Sequence, residues 1–95
     1  MYYVYILKCA DSTLYTGITT NTKRREKEHN TSNLGAKYTK ARRPVRIVYA
    51  KNFKNRSLAL KEEIRIKKFT RKQKLELIEK NPYDHQKQNK IKKNN

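Results

Sequence analysis

YYVYILKCADSTLYTGI, residues Tyr2 to Ile18, is the stretch on which the reading of the fold turns. Two runs rich in Tyr, Val, Ile and Leu flank the polar cluster Asp11-Ser12-Thr13, the pattern of a β-hairpin. Side chains alternate along a strand, so loop length decides which of them share a face, and a one-residue slip inverts the strand. A three-residue loop over Asp11–Thr13 pairs Ala10 with Leu14 and Cys9 with Tyr15. It gathers Val4, Ile6, Leu14 and Ile18 on an aliphatic face, and Tyr3, Tyr5, Tyr15 and Gly17 on the opposite one. A four-residue loop would scatter Tyr5 and Tyr15 onto different faces. The odd loop segregates the side chains better and is the one expected.

Working outward, 95 residues suit one small domain with little core to spare. Only 35% of the residues are apolar, and they thin out after Ile78. Lys and Arg number 25 against 8 Asp and Glu, a formal net charge of +17. Such an imbalance concerns partners, not fold: it calls for a polyanion, nucleic acid first (DNA, with RNA not excluded) and an acidic membrane surface a distant second. No run is long and apolar enough to span a bilayer, and no segment offers a free apolar face to a membrane. MYYVYILKC has no basic leader or small-residue cleavage site and reads as a strand. The single cysteine, Cys9, can form neither an internal disulfide nor a zinc site. A cytoplasmic monomer is the expectation.

After Gly17, TTNTKRREKEHN has helix-start residues followed by strong helix formers, with almost nothing to bury. A helix polar all round must be fixed by something other than burial, or it is mobile. Its Arg25 and His29 lie four apart on one face. Asn33 to Arg43 reads as a loop or one short helix. Pro44 opens a strand in which Val45, Ile47 and Tyr49 alternate, with Val48 and Ala50 implying cover on both faces. Ser57 to Phe69 is expected to be a helix with Ser57 as N-cap and an inward arc of Ala59, Leu60, Ile64 and Ile66. Glu63 falls within that arc and Glu62 points away. A carboxylate on a buried stripe needs compensation, either a salt bridge or a metal, and the metal is favoured. Thr70-Arg71-Lys72-Gln73 carries a capping-box pattern for a last helix, with Leu75 and Ile78 inward and Pro82 as its stop. Residues 1–82 form the expected domain, and 83–95, rich in Lys, Asn and Gln, a basic disordered tail.

Taken together, Tyr5, Tyr15, Gly17, Arg25, His29 and Glu63 resemble the catalytic set of the GIY-YIG nuclease family. Tyr3-Val4-Tyr5 stands at the first motif and Tyr15-Thr16-Gly17 at the second, ten residues from tyrosine to tyrosine. Tyr15 to Thr19, Gly35 to Thr39, Arg42 to Arg46 and Ile66 to Lys74 are also similar to segments of its small single-domain bacterial branch. Some positions depart from the pattern. Tyr3 replaces a glycine and Thr16 an isoleucine, Ile18 stands where several members have a lysine, and Thr22 and Lys27 replace helix leucines. The resemblance implies an α/β domain of α+β type, a small three-stranded antiparallel sheet flanked by helices. It also implies divalent-metal hydrolysis of phosphodiesters.

The chemistry can be argued beside the resemblance. Phosphodiester cleavage needs a deprotonated water, neutralised nonbridging oxygens and help for the leaving oxygen. Mg²⁺ on Glu63 would suit, since that ion keeps several waters and few protein ligands. Arg25 offers a permanently charged planar fork to a phosphate. Tyr5 or Tyr15 would take the water's proton, a phenol of pKa roughly 10 being usable only beside positive charge. His29 is a hydrogen-bond partner, a second base or simply a satisfied core histidine. Gly17 is expected to let backbone approach substrate. Lys37, Tyr38, Arg42, Arg43, Lys67 and Arg71 are the candidate nucleic-acid contacts. No recognition helix or finger is evident, so low sequence preference is expected; selection by nucleic-acid structure, of the repair or recombination type, is what the resemblance implies. The other reading is a noncatalytic basic nucleic-acid binder, ribosome- or nucleoid-associated, which the charge supports equally.

Overall fold

The computed structural model describes residues 1–83. β1 (Tyr2–Lys8) and β2 (Leu14–Thr19) form the hairpin, and β3 (Arg46–Phe53) pairs antiparallel with the other side of β1, giving the order β2-β1-β3. The hairpin loop has the expected three residues but starts one residue earlier. Cys9 closes on Thr13 through its N–H to the Thr13 carbonyl (2.9 Å), and Ser12 takes a left-handed φ of 69°. The register therefore pairs Lys8 with Leu14 and Leu7 with Tyr15, where Ala10–Leu14 and Cys9–Tyr15 were expected. A shift of two residues preserves the faces, so the segregation of aliphatic and phenolic side chains stands.

Both faces are covered. Val4, Ile6 and Tyr49 pack with Ala59 and Ile66 on one side, and Tyr5, Leu7, Cys9, Val45 and Ile47 form a second cluster on the other. Val45, Ile47 and Tyr49 do not share a face, contrary to the simple alternation. A bulge inserts Val48 between the pairs Ile6–Tyr49 and Leu7–Ile47, and sends Tyr49 to the aliphatic side.

α3 (Arg56–Lys67) and α4 (Arg71–Lys80) cover the aliphatic face, using Ala59, Ile66, Leu77 and Ile78. The N-cap of α3 is Asn55, whose side chain accepts from the Leu58 N–H at 3.0 Å, not Ser57. Its buried stripe also differs from the arc read by eye: Ile64 is exposed, and Glu62 is as sheltered as Glu63. The capping box of Thr70 and Gln73 forms as read, but Leu75 is exposed and Leu77 replaces it inward.

α1 (Thr22–Thr31) buries only His29, yet it is fixed. Asn30 accepts the Val45 N–H (2.7 Å) and donates to the Val45 carbonyl (2.8 Å), while Glu26 accepts the Ile47 N–H (2.7 Å). Polar side chains thus satisfy the outer edge of β3, and these bonds replace the missing apolar contacts. Arg43 closes the other end of α1, donating to the carbonyls of His29 (2.6 Å) and Ser32 (2.7 Å). α2 (Lys37–Lys40) is a single turn beside it. Tyr83, placed at the start of the tail in the sequence reading, packs on the second cluster, and its N–H meets the Val48 carbonyl at 3.3 Å. The tail reading for 84–95 lies outside the described residues.

Candidate active site

Tyr5 sits opposite Gly17, and its ring lies across the glycine. A Cβ on Gly17 would come within 2.6 Å of the Tyr5 hydroxyl and 2.8 Å of Cζ. The glycine is therefore needed for space, and that space is filled by the phenol; the expected approach of substrate to its backbone is not what the geometry provides. Neither glycine has a positive φ.

The Tyr5 hydroxyl meets His29 Nε2 at 2.9 Å and Arg25 Nε at 3.4 Å. The Ala36 N–H, which can only donate, points at His29 Nδ1 (3.3 Å), with the Thr39 hydroxyl at 2.9 Å. Thr39 donates its hydroxyl hydrogen to the Ala36 carbonyl at 2.8 Å, so its oxygen is open to an Nδ1–H, and the tautomer of His29 decides whether Tyr5 donates to Nε2 or accepts from it. Tyr5 Oη thus accepts from Arg25 Nε and shares a second hydrogen bond with His29 Nε2. Burial pushes the Tyr5 phenol up to about 12, the hydrogen bond and charge of Arg25 pull against that, and the negative charges of Tyr15 and Glu63 add to it. Burial likewise lowers His29 to about 4, with the Arg25 cation acting in the same direction. His29 is fully buried and neutral, which fits a partner of Tyr5 and not a base open to solvent.

Tyr15 is only half-buried. Its ring meets His29 edge-on at 5.5 Å and stacks on Tyr38 at 5.9 Å, and the Arg42 guanidinium lies 3.9 Å over Tyr38. Arg25 spans the group: beyond Tyr5 it donates to Glu28 (3.0 Å) and the Leu34 carbonyl (2.7 Å). It also lines an open cleft of about 340 Å³ with Arg24, Arg56 and Glu28.

Glu63 stands close enough for its charge to act on Tyr5, but it is not a lone acid: Lys67 Nζ lies 3.2 Å from its carboxylate. Among the described residues no three acidic, His or Cys side chains form a metal cluster. One carboxylate fits Mg²⁺, which needs few protein ligands, provided that Lys67 yields.

Of the nucleic-acid candidates, Lys37, Tyr38, Lys67 and Arg71 are exposed. Arg42 is part-buried and ion-paired to Asp11 at 3.1 Å, Lys67 is engaged by Glu63, and Arg43 is turned inward onto α1. Sequence reasoning did not single out Thr39, Glu28, Arg24 or Arg56. Thr39 alone had a signal, as the last residue of the GAKYT segment.

A three-stranded antiparallel sheet with helices on both faces, carrying these motifs on the central hairpin, defines the class. The chain belongs to the GIY-YIG family, matching its catalytic domain over residues 1–76. More particularly, it is similar to a UPF0213 protein of Syntrophus aciditrophicus, 54% identical over 80 residues that cover 84% of this chain and 92% of that one. A UPF0213 protein of Clostridium perfringens, CPE1444, is 55% identical over 78 residues, or 82% and 83% of the two chains. Solution NMR structures share the fold: EF2693 from E. faecalis (TM-score 0.55, 43% identity, 88% and 92% covered) and UPF0213 protein BH0048 from Bacillus halodurans (0.53, 42%, 83% and 84%). GIY-YIG is a nuclease family whose members are generally divalent-metal dependent, and the domain implies a nucleic-acid substrate. No helix among the described residues is long and apolar enough to cross a membrane.

Proposed function

We propose that this protein is a metal-dependent endonuclease that hydrolyses DNA phosphodiester bonds with low sequence preference, selecting by nucleic-acid structure. The observation that carries this is the seat of the Tyr5 hydroxyl, over Gly17 and between His29 Nε2 and Arg25 Nε, beside an arginine-lined cleft. Core packing alone does not require a guanidinium at a buried phenol.

Arg25 orients a phosphate oxygen through its outer N–H groups. Tyr5, held between Arg25 and His29, stays a protonated phenol. In this reading Tyr15, partly open to solvent, takes a proton from the attacking water. Thr39 and Ala36 fix the imidazole that holds Tyr5. Glu63 would hold the divalent cation, whose charge would acidify a bound water and offset the phosphate oxygens.

The second reading, a noncatalytic nucleic-acid binder, is favoured by the Glu63–Lys67 pair, which accounts for the acid without a metal. Labelled duplex, nicked, flap and single-stranded DNA, each with and without Mg²⁺, separates the two. Glu63→Gln should keep binding and lose cleavage by about a hundredfold or more, and Arg25→Ala should reduce both. Equal cleavage by wild type and Glu63→Gln would defeat the enzyme reading.

A further inference from the structure

The cleft beside Arg25 is more than an approach to it. Glu28 places one carboxylate oxygen 3.0 Å from Arg25 Nη1 and the other 3.5 Å from Arg24 Nε, so a single anion lies between two guanidiniums. Arg24 is also steered by the Thr20 hydroxyl, 3.2 Å from its Nη2. Arg56, from the first residue of α3, lines the same cleft and has no ion pair among the described residues. Three permanent cations against one carboxylate leave a net charge of +2 in a space of about 340 Å³. Guanidiniums that bind the two oxygens of a carboxylate can bind the oxygens of a phosphate in its place.

From this arrangement we infer that the cleft is a second phosphate subsite, which takes the backbone phosphate next to the one on Arg25, and that Glu28 occupies it until the strand displaces the carboxylate. The ligand is thus a polynucleotide strand with at least two consecutive phosphodiesters, and Arg24 and Arg56 are its contacts. The inference rests on the nuclease reading only for which phosphate lies on Arg25.

Binding in EDTA tests it, because no turnover is involved. Fluorescence anisotropy of a labelled oligonucleotide across a salt series gives both affinity and slope. Arg24→Ala and Arg56→Ala should each weaken binding about tenfold at low salt, and flatten the log–log slope by about 0.7–0.9, the change for one lost phosphate contact. Glu28→Gln should tighten binding about two- to fivefold, as removal of a competing surface ion pair allows. Lys80→Ala, at the far end of α4, is the control for general charge. A labelled dinucleotide with a single phosphodiester should bind alike to wild type and Arg24→Ala. Variants with wild-type affinity and slope, or a Lys80→Ala loss as large as that of Arg24→Ala, would overturn the subsite. Arg24 and Arg56 are exposed, and circular dichroism spectra of their variants should match that of wild type. Wild type that binds the oligonucleotide but never cleaves it with Mg²⁺ would sink the nuclease reading and leave the subsite standing.

Discussion

Gly17 and Tyr5 act as one unit. A methyl group on Gly17 must push the phenol away from both His29 and Arg25, since the collision is with ring atoms in a filled space. Gly17→Ala should therefore destabilise the domain by about 1–3 kcal/mol. For a chain of this size each kcal/mol lowers the thermal midpoint by about 4–8 °C. An unchanged midpoint would mean that the ring does not lie over the glycine. His29 and Tyr5 also set a pH window. The folded His29 pKa of about 4 lies below the ordinary 6.5, so between these values the unfolded chain binds the extra proton and stability falls with pH. At a difference of about 2.5 units the loss approaches roughly 3 kcal/mol by pH 4. Tyr5 works at the other end: the folded chain keeps its proton to about 12, so stability declines as pH rises from 10. Thermal midpoints should be flat between the two limbs. His29→Gln should shrink the acid limb and Tyr5→Phe the alkaline one; limbs unaltered by these changes would refute the assignment. The sequence placed Tyr5, Gly17, Arg25 and His29 together through their motifs and spacing. It could not show that Gly17 is a seat for Tyr5, or that Lys67 neutralises Glu63, because both depend on which rotamer reaches which neighbour.

At the scale of elements, the informative case is α1. Its sequence has almost no apolar residue, and pattern reading leaves open whether it is fixed at all. The answer lies in Glu26 and Asn30, which use side-chain oxygens and an amide to finish the edge of β3. Such pairing is invisible to periodicity, since it joins a helix surface to backbone groups, not to other side chains. The bulge at Val48 is hidden for the same reason: alternation reads only one strand, and the extra residue is defined by its partner. The hairpin, by contrast, was legible in its faces because a two-residue error of register leaves parity intact. Asn30 should be the fastener. Asn30→Ala leaves the Val45 N–H and carbonyl without their partner, which costs about 1–3 kcal/mol. Hydrogen exchange should speed up at the Val45 amide and through α1, while Ile47, still held by Glu26, changes less. Equal protection at Val45 in both proteins would place the anchoring of α1 elsewhere.

Across the whole molecule, most of the positive charge lies on the residues that build the fold. Residues 84–95 hold four lysines and one aspartate, so they contribute 4 − 1 = +3 of the +17 and leave +14 on the rest. If binding is driven by the phosphate backbone, log affinity falls with log salt by about 0.9 per phosphate neutralised on duplex DNA. A chain ending at Tyr83 should then bind more weakly, with a shallower slope, and melt at the wild-type temperature. A chain ending at Pro82 is a different experiment. It removes an aromatic ring from the second core cluster, the bond to the Val48 carbonyl and a 3.3 Å contact with the Thr22 hydroxyl at the start of α1. Loss of such a half-buried aromatic should cost about 1–3 kcal/mol, and it should loosen the helix that presents Arg25. The two truncations differ by one residue and by no formal charge. A midpoint that drops between them locates the domain boundary after Tyr83, whereas equal midpoints would return that residue to the tail.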